Sequence, residues 1–315
     1  MNDLLGKLRK SQQRGSKPRC HWITHGTPAE VSARLTALAC PFAEVAKSDH
    51  WMPCGFDKLS EAQFHRVANL LAEDQCRQIR TWWFRIYRGG LQTSPSFDIA
   101  STCTVDGTSG LLLVEAKAHV GELTGEERGK PLKLDASNGG RTNHDHIVQA
   151  IAWANSIFHD ATGKTWQLSR DNRYQMSNRF AMACKLTSIG VPVVLVYLGF
   201  LNAKDMSLGA ERPFASSDEW RHAVLTHSTA ILPTETWDRR WELHGRTFAP
   251  LIRSVEIPVD RPCDLFKTQA GEHSPQSDTA QQVAPATSGL DEAAPDDSKC
   301  SLNGKHVLDD NMGAW

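Results

Sequence analysis

The chain reads as an α/β protein on three observations. VPVVLVYLGF, from Val191, is a continuous apolar run with the composition of a strand covered on both faces. Two β-rich runs, from about Ser96 to Val105 and from Leu111 to Ala118, flank Asp106-Gly107, a dipeptide that two-residue hairpins favour. Between them and the apolar run lie NHDHIVQAIAWANSIF and NRYQMSNRFAMACKLTSIG, two helical stretches, the second closing at Gly190.

The other elements follow in order. Thr27-Pro28-Ala29-Glu30 is a capping box with proline at the first helical position, predicting a helix to about Leu38. Ser60-Glu61-Ala62-Gln63 reads as a second capping box, and Phe64, Val67, Ala68, Leu71 and Ile79 extend a helical pattern to about Arg80. TWWFRIY, from Thr81, is aromatic and β-branched and predicts a strand, in which Trp82 and Trp83 are packing residues rather than a base-stacking platform. A last capping box at Ser216 and Glu219 opens a helix through about Ile231, expected outside the core. The order is helix, three strands, helices, strand, with no internal repeat.

The chain has 315 residues, 40% of them hydrophobic, enough for a sizeable core. It divides into a basic N-terminal region with one helix (1–55), a main domain (56–262) and an acidic tail (263–315). From Thr268 onward, eight acidic residues face Lys299 and Lys305, a net of −6; the whole chain carries −1, so the first 267 residues carry +5. The tail is rich in Ser, Ala, Pro, Gln and Asp and too poor in large apolar residues to offset its ordering entropy, so disorder is expected. At the other end, Lys7, Arg9, Lys10, Arg14, Lys17 and Arg19 precede any clear element, a basic arm that is either solvated or a contact for a polyanion. No window holds 18 consecutive apolar residues, and MNDLLGKLRK lacks the apolar stretch of a signal peptide. The expectation is a cytoplasmic protein with no membrane partner. Eight scattered cysteines without a CxxC suit a reducing compartment.

The chemistry centres on GLLLVEAK. A run that reads as a buried strand ends in Glu115 and Lys117, and a buried charge costs several kcal/mol unless it is paired or bound to a metal. If Asp106-Gly107 forms a type I′ turn, Asp98 falls directly opposite Glu115. Side chains alternate, so Asp98, Glu115 and Lys117 share one face; a four-residue loop would place Asp98 opposite Lys117 on that same face. Two carboxylates within about 5 Å repel, which calls for a raised pKa or a bound divalent cation, and oxygen donors favour Mg²⁺ or Mn²⁺.

Asp98, sixteen residues, then Glu115-Ala116-Lys117 at the end of a hydrophobic strand resembles the PD-(D/E)XK nuclease superfamily. The element order resembles that family's restriction-endonuclease-like αβββαβ core, here with additional helices, over roughly Ser60 to Leu201. The resemblance implies that Asp98, Glu115 and the Ala116 carbonyl bind Mg²⁺ or Mn²⁺, that Lys117 positions or activates the attacking water, and that the substrate is nucleic acid, with DNA the expectation. Gln175, with Asn178 and Arg179 on the same predicted helix, is the auxiliary residue that some members use to support the site. Glu61 or Glu73 could be the upstream acidic ligand of others. The family's proline before the aspartate is Phe97 here. Three other readings remain: a solvated ion pair at a strand end, a non-catalytic nucleic-acid or protein-binding module on the same fold, and a hydrolase of a small phosphorylated molecule.

His144 and His146 flank Asp145 on a predicted helix and point apart, so capping and solvation are expected rather than chelation. Cys20, His21, His25, Cys40 and Cys54 match no compact zinc-ligand spacing.

Overall fold

The computed structural model describes residues 2–257, apart from 67, 68, 86, 88–91, 126, 127 and 208–210. The acidic tail expected from 263 lies outside the described residues. In chain order the elements are α1 (Asn2–Leu5), α2 (Ser16–Ile23), α3 (Pro28–Ala39), β1 (Trp51–Met52), β2 (Ala62–Gln63), α4 (Glu73–Trp83), β3 (Ser96–Phe97), β4 (Ile99–Val105), β5 (Thr108–Lys117), α5 (Val120–Thr124), α6 (Asn138–Thr162), α7 (Tyr174–Ser188), β6 (Val193–Phe200), α8 (Ser217–Ser228), β7 (Trp241–Leu243) and β8 (Arg246–Val255). The architecture is mixed α/β. The main sheet runs β1-β4-β5-β6-β8-β7, while β2 and β3 pair separately.

The hairpin forms in the register expected from its turn. Val105 pairs with Thr108, leaving Asp106 (φ 50°) and Gly107 (φ 74°) as the two turn residues, both left-handed as a type I′ turn requires. Pairing then continues to Ile99↔Val114. From β5 the chain crosses over through α6 and α7 and returns as β6, parallel to β5, and β8 lies parallel to β6. The β6 run is buried along its whole length because both faces are covered. Leu113, Leu195 and Tyr197 pack under Ile151 of α6 and Phe180 of α7. On the other face, Val114, Val194 and Val196 pack with Trp22 of α2 and Leu35 of α3. Burying each such side chain contributes about 1.5–3 kcal/mol.

The capping box at Thr27 forms as expected and opens α3. Four other expectations are corrected. The Ser60 box opens no helix: Ala62 and Gln63 form β2 against Phe97 and Ser96, and the helix begins ten residues later at Glu73, where Gln75 accepts from the Ala72 N–H at 3.0 Å. TWWFRIY does not start a strand, since Thr81–Trp83 are the last turn of α4; Trp83 is buried, and Trp82 lies 5.8 Å from Trp153. The helix at Ser216 is not outside the core, because Trp220 and Val224 are buried in it. Finally, residues 1–55 hold more than one helix: α2 packs on the sheet beside α3, and Arg19, read as part of a basic arm, is fully buried and donates to the Gly15 carbonyl at 2.6 Å.

The β7–β8 hairpin has no counterpart in the sequence reading. It turns on His244 (φ 53°) and Gly245 (φ 67°). Pro250 sits inside β8, two residues past Phe248, the last residue paired to β7. Beyond that point Asp238 covers the strand, its N–H donating to the Pro250 carbonyl at 2.8 Å and its carboxylate accepting from the Ile252 N–H at 3.2 Å.

At Gly199 of β6 a methyl group would stand 2.4 Å from the Trp220 indole. Gly199→Ala is therefore expected to destabilise the fold by about 1–3 kcal/mol through overpacking. Calorimetry should show a lowered melting temperature, and an unchanged one would mean that α8 does not pack against β6 at this point.

Candidate active site

Glu115 and Lys117 end β5 on the face covered by α6 and α7, only 1% and 5% exposed. The β4–β5 ladder ends at Ile99↔Val114, and Asp98 stands just outside it, beside the end of β5. The three side chains expected to share a face are brought together there. The Ala116 N–H donates to Asp98 Oδ2 at 2.8 Å, which fastens Asp98 to β5.

Glu115 is fully engaged. Lys117 Nζ donates to its Oε1 at 2.6 Å, Gln175 also donates to Oε1, and Arg179 Nε donates to Oε2 at 2.6 Å. Gln175 thus reaches Glu115 from α7. Arg179, one helical turn further along α7, lies with its guanidinium carbon 5.1 Å from the centre of the Phe97 ring. Phe97, standing where the family has proline, is the surface on which that arginine rests. Its Nη1 also donates to Asn178 Oδ1 at 2.5 Å.

Glu61 joins this group and Glu73 does not. Glu61 directly precedes β2, whose partner β3 directly precedes Asp98, and the Glu61 charge reaches Asp98. Lys17, on α2, forms an ion pair with Glu61. Glu73 is exposed and pairs with Arg80 at 3.3 Å. Loss of hydration, then the charges of Glu115 and Glu61, push the Asp98 carboxyl up to about 8, against the opposing pull of Lys117 and the Ala116 N–H. At Glu61 burial raises the pKa, but the Lys17 ammonium outweighs it and holds the carboxyl below its usual range.

The donors fit a hard divalent cation in part. Asp98 and Glu115 offer carboxylate oxygens side by side, and the protonation of Asp98 marks a place where positive charge is wanted. Among the described residues no group of three or more His, Cys, Asp and Glu stands ready to hold a metal, so the third protein donor falls to the Ala116 carbonyl.

No family model, curated protein or solved structure matches this chain. The reading of the site therefore stands on its own geometry.

The remaining candidates lie elsewhere. His144 Nε2 is 2.8 Å from the Lys130 carbonyl and its Nδ1 2.9 Å from Arg170, whereas His146 Nε2 is 3.0 Å from the Trp82 carbonyl. His21 Nδ1 is 2.7 Å from the Gly55 carbonyl, Cys20 is buried and Cys54 exposed. Among the described residues no helix is long and apolar enough to cross a membrane.

The sequence reading named Arg179 beside Gln175 but preferred Gln175, and it gave Lys17 no role in the site. The Gln175–Arg179 spacing of four residues put both on one helical face, which was a usable signal. Lys17 gave none, since only the packing of α2 brings it to Glu61.

Because Asp98 holds a proton in the folded chain between about 4 and about 8 that the unfolded chain has released, its contribution to stability is complete below about 4 and is lost as pH rises through about 8. In EDTA, the melting temperature of the wild type should fall relative to that of Asp98→Asn as pH rises over this window. A constant offset between the two proteins would show that Asp98 does not carry the raised pKa.

Proposed function

We propose that this chain is a Mg²⁺- or Mn²⁺-dependent phosphodiester hydrolase, a nuclease of the PD-(D/E)XK type acting on nucleic acid, with DNA the expected substrate. The observation that carries the proposal is the meeting of Asp98, Glu115 and Lys117 at the carboxyl end of β5, where two carboxyl groups and an ammonium converge. The carboxyl ends of parallel strands are where open α/β sheets place their ligands. The αβββαβ description fits less closely, because β3 belongs to the separate two-stranded pairing.

Asp98, Glu115 and the Ala116 carbonyl would hold the ion, which when bound supplies a Lewis acid for the phosphoryl oxygens and lowers the pKa of a coordinated water. The chain's own residues do the rest. Gln175 and Arg179 fix the Glu115 carboxylate in one orientation. Lys117 brings a positive charge held by packing rather than by a loop, so little reorganisation is needed as negative charge grows on the phosphate. Asp98 is the group whose proton is displaced as the site fills.

A second reading is favoured by one specific observation. Glu61 is already paired with Lys17, and Glu115 with Lys117 and Arg179, as expected of a site closed by ion pairs in a module that binds nucleic acid or protein without cutting.

Incubation with plasmid, linear duplex, single-stranded DNA, RNA and a small phosphodiester, each with Mg²⁺, Mn²⁺ or EDTA, separates these readings. Cleavage of nucleic acid that EDTA abolishes is expected. Lys117→Ala should lower its rate about 100-fold or more while Mn²⁺ still binds, whereas Asp98→Asn and Glu115→Gln should lose metal affinity and activity together. Undiminished cleavage by Lys117→Ala would reject the assignment. Nucleic-acid binding without cleavage under any metal would establish the second reading.

A further inference from the structure

The loop that leads into α6 holds a leucine out in solvent. Leu134 is 99% exposed, whereas Tyr87 and Val148, the other exposed large apolar side chains among the described residues, stand at 36% and 40%. It sits at the tip of a turn from Lys133 to Ala136, closed by the Ala136 N–H donating to the Lys133 carbonyl at 3.0 Å. Turn tips ordinarily take Gly, Pro, Asn, Asp or Ser, so a leucine there needs another reason.

The loop is not free to fold that side chain away. At its base the Lys130 N–H donates to the Arg170 carbonyl at 2.8 Å, and the Lys130 carbonyl accepts from His144 Nε2 at 2.8 Å. At its tip Arg141, in the first turn of α6, donates from Nη2 to the Leu134 carbonyl and from Nε to the Ala136 carbonyl, each at 3.2 Å. The leucine is presented by a backbone tied at both ends.

Its surroundings are cationic. From Arg128 to Asn143 the chain carries Arg128, Lys130, Lys133 and Arg141 against Asp135 alone, a net of +3 in a chain whose total is −1. The loop is also anchored beside the candidate site: Lys130 Nζ lies 5.1 Å from the centre of the Tyr174 ring, and the next residue, Gln175, donates to Glu115. A single apolar side chain among cations does not suit a protein interface, which needs a cluster of apolar anchors, or a bilayer, which needs a whole apolar face. It suits a nucleic-acid duplex, whose phosphates take the cations while an apolar wedge enters between base steps. We propose that Leu134 is such a wedge, unstacking one step of a duplex next to the site. The inference rests on nucleic acid being the substrate in the hydrolase reading, and it sharpens that substrate to a duplex held open at one step.

The test uses the full chain in EDTA, so that binding is read apart from cleavage. Aminopurine, a base whose emission rises on unstacking, is placed at successive positions of a DNA duplex. The wild type and Leu134→Phe should raise the emission at one step, while Leu134→Ala should abolish the rise and bind about tenfold more weakly. Lys133→Gln should lower the slope of log affinity against log salt by about one and keep the rise at saturation. Duplex binding with no rise at any position, or an equal rise in Leu134→Ala, would overturn the wedge; EDTA-sensitive cleavage would then leave the hydrolase reading standing. Weaker attachment of Leu134→Ala to anionic vesicles, with no rise on duplex in the wild type, would overturn it in favour of a lipid surface. A rise that Leu134→Ala removes, with no cleavage under Mg²⁺ or Mn²⁺, would uphold the wedge and reject the hydrolase. Failure to bind any nucleic acid, together with no metal-dependent cleavage, would overturn both.

Discussion

The carboxylate of Glu115, buried at the end of an apolar strand, sets terms that much of the structure meets. An uncompensated charge there would cost several kcal/mol, and three donors answer it from two directions. Lys117 comes from the same strand, two residues on; Gln175 and Arg179 come from α7, which must lie across the end of β5 to deliver them. That placement in turn requires the crossover through α6 and α7 and the return of the chain as β6, parallel to β5. Arg179 is itself fixed by the Phe97 ring, and Phe97 belongs to the strand that leads into Asp98. The elements that hold the charge are thus the ones that build the fold around it.

Asp98 carries the complementary role. It is the hinge between two ladders, and its carboxylate is pinned by a backbone N–H rather than by a cation. Burial first, and then the charges of Glu115 and Glu61, raise its carboxyl well above the ordinary carboxylate range. Glu115, held by cations, and Asp98, held by a proton, divide the work: one is rigid and charged, the other releases a proton when a better positive charge arrives.

How much of this could be read from the chain alone differs from element to element. The β4–β5 register was legible because Asp106-Gly107 favours a two-residue turn, and that turn fixes which residues face each other. The burial of β6 was legible from its unbroken apolar run. The Ser60 box misled because Gln63, the residue that would complete it, is taken up in β2 opposite Ser96, a pairing that no local pattern encodes. Trp82 and Trp83 misled because their β propensity is weak against the helix already running from Glu73. In β8, Pro250 fits a strand because β7 has ended by then and leaves no ladder on that side to interrupt. Of the site, the strand-borne residues and Gln175 were visible, while Lys17 depended on how α2 packs.

The short outer strands have a consequence for the molecule in company. β1 has two residues and β7 three, so neither rim of the main sheet offers a long template to a passing chain. Along β4 the row is extended by Glu44, which exchanges both backbone bonds with Thr104. On β8, Asp238 occupies the donors and acceptors that β7 leaves open, and Pro250 has no N–H to offer at all. A protein whose central strands are as apolar as VVLVYLGF and LLLV would be at risk of zippering onto its neighbours if those rims were bare. The proline and the aspartate that blunt the rim at β8 guard against fibrous self-association, a hazard quite separate from whatever the site does to its substrate.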